Sequence, residues 1–381
     1  MSELLSHARA IAASLPNEAA AIERARRLPA PIADRMRAAG IFHALVPREY
    51  GGAECHPAEL CELIETIARG DGSAGWNVMI GTTTGLLAAS LPVSFAREIY
   101  GDAPGALTVG VTAPMGKALA VPGGHSVSGR WAFGSGCENA DWLCAGCFVF
   151  EGDERVEGKF GPEIHLMLLE RSQVEIEDTW DVSGLRGTGS HHFTVRDEFV
   201  PAGRSVVMGG KTLIDRPLYK FPMLGLLALG VASVSLGIGF RALDVFCEMA
   251  GGKKPTGSSR ALAERALVQR NVALAKADLS SARALMRETI DRAWALASAG
   301  EPLDTAIRAD LRLAAANATH RSVAAVDALY QAGGGSSIYE DSPLQRCLRD
   351  VHVTTQHIMV ADPLFELVGR VELGLEPRGM L

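Results

Sequence analysis

His357 closes the segment Arg349–His357, RDVHVTTQH, shortly after the glycine-rich turn Gly333-Gly334-Gly335-Ser336-Ser337. A helix launched from such a turn can aim one titratable side chain into a pocket. An imidazole with an ordinary pKa near ~6.5 suits proton transfer at neutral pH. A lone histidine is equally a core or surface residue, so its meaning depends on what other segments bring to it. Cys144 and Cys147 form a single CxxC in DWLCAGCFVF; a zinc site needs a second pair or suitably spaced histidines, and none follows. These thiols read as buried structural residues. His191 and His192 are adjacent and face opposite ways along an extended chain, a poor metal pair. His165 and His320 have no partner legible in the sequence. No metal is expected, and neither a phosphate-binding loop nor a GxGxxG motif occurs.

The elements that must position His357 belong to a chain of 381 residues, long enough for two or three structural units. Apolar residues make up 48% and charged residues 21%, as in ordinary globular proteins. A net charge of −7 with a pI near 5.8 gives no electrostatic footprint for nucleic acid or an anionic membrane. Small molecules are the expected partners. The opening MSELLSHARAIAASLP is not a secretory signal. Phe221 to Phe240 is uncharged and long enough to span a membrane, but its four glycines, two serines and Pro222 predict a buried core helix. Seven cysteines, an odd number, suggest reduced thiols and a cytoplasmic setting.

Three compositional zones define an α+β chain. Residues 1–105 read as an N-terminal helical domain, with helices over Ala30–Ala39 and Glu59–Arg69 and an apolar stretch from Ser73 to Leu91. Residues 106–210 alternate short β-prone runs with Gly, Pro and Asn/Asp turns, predicting a central antiparallel sheet or small barrel; the GDERVEGKFGPE insert reads as an exposed loop. Residues 211–381 are rich in alanine and leucine. Helices over Phe221–Met249, Ala261–Ala299, Thr305–Ala332 and Pro343–Gly369 predict a C-terminal four-helix bundle.

Three phrases, VTAPMGKA (Val111–Ala118), WAFGSGCENADW (Trp131–Trp142) and WDVSGLRGTGSHHFTVRDEFVP (Trp180–Pro201), lie in this order between two helical zones. Together they resemble the acyl-CoA dehydrogenase superfamily over nearly the whole chain. GRWAFGSG, LRGTGSHH, GKKPTGSSRALAER and SPLQRCLRDVHVTTQH are closest to its oxygen-using branch, the two-component flavin-dependent monooxygenases. The resemblance implies an oxygenase component that receives reduced FMN or FAD from a separate NAD(P)H-flavin reductase. O2 and a C4a-hydroperoxyflavin would then hydroxylate an aromatic or heterocyclic small molecule. A homotetramer is implied too.

Carried over position by position, the resemblance implies that Phe133 and Ser135 run along the flavin ring, with the Ser135 hydroxyl near N5. It implies that Thr112 bonds the pyrimidine end and that Thr188 and Gly189 lie close to the ring. Arg260, Gln331, Gly333 and Gly334 would hold the phosphate or adenosine portion of a neighbouring subunit's flavin. His357 would stand where classical dehydrogenases carry a glutamate in [FY]EGT; here the phrase is QHIMV, without a carboxylate. That substitution disfavours the alternative, an FAD-dependent acyl-CoA dehydrogenase-like dehydrogenase or oxidase. GSAGWNVMIGTTTGLL carries threonines where phenol hydroxylases of the branch often carry a second histidine, so Thr83 and Thr84 would line a pocket for a different ring. Trp76 is either a substrate-facing aromatic or ordinary core.

Overall fold

The protein is described from a computed structural model covering residues 2–101, 105–158, 161–254, 257, 259–379 and 381. Lys159 and Phe160 of the insert, and Pro255, Thr256 and Ser258 of the PTGSSR phrase, lie outside the described residues. Helices come first: α1 (Glu3–Ala25), α2 (Ala30–Ala38), α3 (Pro57–Gly70), α4 (Gly72–Thr84) and the single turn α5 (Val93–Ala96). Each start has a chemical reason. Ser2 caps α1 by accepting from Leu5 N–H, and Pro57, which lacks an N–H of its own, opens α3. Asp71 caps α4 by accepting from Ala74 N–H at 2.9 Å.

Ten strands follow: β1 (Thr108–Val121), β2 (Gly124–Gly134), β3 (Trp142–Glu151), β4 (Glu154–Arg155), β5 (Glu157–Gly158), β6 (Gly161–Pro162), β7 (Ile164–Glu170), β8 (Glu175–Glu177), β9 (His191–Pro201) and β10 (Ser205–Val207). The main sheet runs β10-β7-β3-β1-β2-β9-β8, with β4 added to β3. Its pairs are antiparallel, as expected of the central zone, except one: β1 and β3 are parallel. The chain leaves β1 by a tight hairpin into β2 on one side and re-enters as β3 on the other, which forces equal directions on β1 and β3. The β1–β3 register shifts between Val111 and Gly116. At Gly116 a Cβ would sit 2.1 Å from the Trp131 indole, so only glycine lets that ring reach its place, stacked at 5.2 Å on Phe193.

The remaining helices are α6 (Pro217–Lys220), α7 (Met223–Gly252), α8 (Ala266–Ala299), α9 (Thr305–Gly333), α10 (Pro343–Thr354) and α11 (Pro363–Glu372). Among the described residues α7 is the one helix long and apolar enough to cross a membrane, yet 83% of its most apolar window is buried within the protein. Glycines let it pack closely: a Cβ on Gly237 would meet Glu65 O at 2.6 Å. The expected helix Pro343–Gly369 is in fact two. α10 stops at Thr354 and α11 opens on Pro363, so residues 355–362 form a turn and His357 lies in it rather than in a helix. The proline, which has no N–H to give, fits the first turn of α11 and marks where the second helix starts afresh. One core cluster draws residues from all three compositional zones, Leu63, Trp131 and Leu329 among them.

Candidate active site

A cavity of ≈450 Å³ opens where α4, the β1–β3 bulge, the end of β2, the loop before β9 and the turn after α10 meet. Its size falls within the roughly 300–1,000 Å³ of small-molecule sites. Of the residues expected to act, Trp76, Thr84, Thr112, Phe133, Ser135, Thr188 and His357 all line it. Among the described residues no Asp, Glu, Lys or Arg does. A larger groove of ≈910 Å³ holds none of these residues and is lined by ion-paired side chains such as Arg69, Asp244, Arg283 and Glu65.

Ser135 is buried and sits in a directed chain of hydrogen bonds. Trp76 Nε1–H donates to Ser135 Oγ at 3.0 Å, Ser135 and Ser190 hydroxyls meet at 2.6 Å, and Ser190 meets Thr188 Oγ1 at 2.7 Å. Thr188 Oγ1 donates to Leu185 O at 2.9 Å. Because the threonine proton is committed to that carbonyl, Ser190 must donate to Thr188 and Ser135 must donate to Ser190. Ser135 therefore keeps one acceptor position and no free proton. The question of Trp76 as core or cavity residue resolves as both: it is 7% exposed, lines the cavity and has its N–H engaged there.

Phe133 immediately precedes this chain. It has φ +66° and is 64% exposed, with its ring edge-on to Trp180 at 6.3 Å. A side chain in the left-handed region is strained, and such strain concentrates at functional positions. His191, buried, accepts Thr179 and Trp180 N–H at Nδ1, at 3.1 and 3.2 Å, and so holds the Trp180 segment. Thr83 and Thr84 turn their hydroxyl protons onto Met79 O and Ile80 O, both at 2.8 Å, leaving only acceptor capacity toward the cavity.

His357 packs edge-on against Trp76 at 5.6 Å, and its Nδ1 accepts Met359 N–H at 3.3 Å. Burial, with the Arg312 charge adding to it, lowers its pKa to about 4. The ring differs from the ordinary imidazole expected: it stays neutral well below pH 7, and with Nδ1 accepting, its proton lies on Nε2. It is thus a hydrogen-bond donor before it is a base.

Gly189 follows Thr188 at φ +54° but does not itself line the cavity. Arg260, Gln331, Gly333 and Gly334 are not brought to it either. Arg260, Gln331 and Gly334 lie exposed, and Gly333 is buried at the end of α9. The loop carrying Arg260 is closed at its base by Leu262 N–H donating to Lys253 O at 2.8 Å, and Lys253 Nζ donates to Gly333 O and Ser336 Oγ. The two segments therefore neighbour each other at the protein surface.

Sequence reasoning missed Ser190, Trp180 and Leu185 as cavity residues, although Ser190 and Leu185 stand inside the quoted phrase LRGTGSHH or beside it. Cys144 lines the cavity and packs in one core cluster while Cys147 packs in another, both buried as the sequence suggested. His165, without a legible partner in sequence, has two: Ser205 Oγ and Glu163 Oε1, each at 2.6 Å. His320 approaches Asp362 at 3.4 Å.

Residues 2–95 match the acyl-CoA dehydrogenase N-terminal domain, and residues 229–362 match the acyl-CoA dehydrogenase C-terminal domain. An indole-3-acetate monooxygenase of Pseudomonas putida is 38% identical over 93% of this chain and 90% of its own. An FADH(2)-dependent resorcinol hydroxylase, oxygenase component, of Rhizobium sp. is 32% identical over 94% of this chain and 90% of its own. Among solved structures, XiaF from Streptomyces sp. in complex with FADH2 and glycerol superposes with a TM-score of 0.91 at 26% identity, covering 99% of this chain and 96% of that one.

Proposed function

The chain belongs to the acyl-CoA dehydrogenase superfamily, in its flavin-dependent monooxygenase branch, and from that premise we propose that it is the oxygenase component of a two-component monooxygenase. A separate reductase supplies the reduced flavin, and the substrate is an aromatic or heterocyclic small molecule. Bound reduced flavin supplies the electrons that activate O2, one oxygen atom going to the substrate and the other leaving as water. The FADH2 in the names of a relative and a structural neighbour favours FADH2 over FMNH2.

The observation that carries this reading is a cavity without a carboxylate, holding a neutral imidazole. Dehydrogenation of a thioester needs a base for the α-proton, and among the described residues the cavity lining offers no acid side chain for it. The residues present do fit a flavin ring. Ser135 Oγ, its own proton committed to Ser190, accepts an N–H at the ring's reactive edge. The exposed Phe133 ring gives it an apolar contact, with Trp180 behind. Thr112, which also lines the cavity, would bond the pyrimidine end. His357 Nε2–H donates to an oxygen atom of substrate or dioxygen, and Trp76 and Thr84 wall the substrate side. The uncharged lining keeps the space dry, which protects a reactive oxygen species from water.

Arg260, Gln331, Gly333 and Gly334 act across a subunit boundary in a homotetramer, on the phosphate or adenosine portion of a neighbour's flavin. Arginine suits phosphate because its planar fork donates two parallel hydrogen bonds. The deciding experiment mixes protein and anaerobically reduced FAD or FMN with oxygenated buffer in a stopped-flow absorbance instrument. Reoxidation far slower than that of free flavin supports the reading. Reoxidation at the free rate with both flavins overturns it.

A further inference from the structure

The hydrogen-bond chain from Trp76 ends on the carbonyl of Leu185, and that residue has an unusual backbone. Leu185 has φ +50°, a region that a residue with a Cβ rarely enters. Its carbonyl accepts not only Thr188 Oγ1–H but also Thr188 N–H at 3.1 Å and Trp180 Nε1–H at 3.3 Å. Three groups of the cavity wall are therefore referenced to one peptide unit.

What holds that residue, through the peptide unit on its other side, comes from α10. Leu185 N–H donates to Asp350 Oδ1 at 2.6 Å, and both residues are buried. Just before it, Gly184 lies so close to α10 that a Cβ would meet Arg349 O at 2.3 Å. Arg349 Nη1 donates to Ser183 O at 2.6 Å. On the far side of the loop, Gly187 N–H donates to Ser73 Oγ at 3.1 Å, at the start of α4. α10 is also the helix that ends at Thr354 and delivers His357. Burial raises the Asp350 carboxyl to about 7, with the facing Asp71 adding to the effect, so an acid is kept here against a desolvation cost.

We propose that Asp350 is a positioning residue, which holds Leu185 in its left-handed conformation and so fixes the Ser135–Ser190–Thr188 chain relative to His357. One buried hydrogen bond thereby ties the two sides of the cavity to each other. Thr188, Ser190 and Ser135 line the cavity where molecules would bind; Asp350 acts through them.

The proposal predicts a defect confined to one loop, measurable without flavin, and a rescue by glycine. In the flavin-free protein, Asp350→Ala speeds amide hydrogen exchange across residues 183–190 about tenfold or more and leaves α3 and α7 unchanged. Asp350→Asn, which keeps an acceptor, stays near the parent. Unchanged exchange at 183–190 in a folded Asp350→Ala protein overturns the proposal. Where Asp350→Ala does not fold, Asp350→Glu keeps the charge but displaces the acceptor: the same loop-confined rise is expected, and parent-like exchange overturns the proposal.

The activity arm rests on the oxygenase reading and is a double-mutant cycle. Asp350→Ala lowers product formed per O2 consumed about fivefold, the balance appearing as H2O2. In a Leu185→Gly background, where positive φ carries no steric penalty, the same change lowers it less than twofold. An equal loss in both backgrounds overturns the proposal. Parent protein that leaves reduced flavin to reoxidise at the free rate sinks the oxygenase reading instead, and hydrogen exchange then decides the role of Asp350.

Discussion

On one side of the cavity, Trp76, Ser135, Ser190 and Thr188 pass hydrogen bonds in a single direction to Leu185 O, every proton committed. On the other side, His357 stands in the turn between α10 and α11 with one backbone contact at Nδ1 and a ring edge against Trp76. The first side is preorganised by buried groups that would each lose a partner if one were removed. The second is free to adapt its donor to what enters. Preorganised dipoles suit the invariant part of a reaction, in the proposed function the cofactor, while an adaptable donor suits a variable substrate.

The strongest way to break this contrast is Ser135→Ala. It leaves Trp76 N–H without its buried acceptor and Ser190 Oγ without its buried donor, at about 2–3 kcal/mol, and product formation should fall by tens-fold. Product per NADH, with the reductase in excess, measures it; a drop of under threefold would deny the chain its role.

His357 offers the opposite test. Its folded pKa of about 4 lies below the ordinary ~6.5, so as pH falls through that window the unfolded chain binds the proton first and stability is lost. Above the window the effect vanishes. His357→Gln should therefore lose on the order of 2 kcal/mol less stability than the parent between about pH 7 and 5, read from denaturant midpoints. Asp71 and Asp350, raised by burial to about 6 and about 7, act in the opposite sense, but equally in both proteins.

His357→Ala should lower hydroxylation about tenfold, ~1.4 kcal/mol, with reduced-flavin affinity within twofold. Equal coupling of NADH use to product in parent and variant would refute the donor role. Trp76→Phe keeps an aromatic ring beside His357 but deletes the N–H together with part of the indole, so a loss of a few-fold, about 1 kcal/mol, is expected in product formation. If Trp76→Phe proves as damaging as Ser135→Ala, the chain begins at the indole rather than at the serine.

Much of the fold was legible because it rests on local signals: alanine-rich periodicity, strand-and-turn alternation and the order of three phrases. The parallel pair β1–β3 was not, since direction depends on which side of β1 the chain returns to after β2. The break between α10 and α11 was available in Pro363 but masked by apolar periodicity on both sides. For the site, Thr112, Phe133, Ser135, Thr188 and His357 were found through phrases, and the cavity gathers them. Ser190 and Asp350 stood in the same phrases and were passed over. What singles them out is contact across 55 and 165 positions with Ser135 and Leu185, which no spacing rule reaches. The lowered pKa of His357 was equally out of reach, being a property of its burial and of Arg312.

Phe133, at φ +66°, sets stability against usefulness at a single position. Glycine there would relieve the backbone and, where strain outweighs the flexibility it adds to the unfolded chain, raise stability by up to ~1 kcal/mol. It would also remove the exposed ring. A thermostability screen blind to turnover would thus drift toward Phe133→Gly and, if the ring serves the proposed flavin contact, select a sturdier protein that hydroxylates poorly.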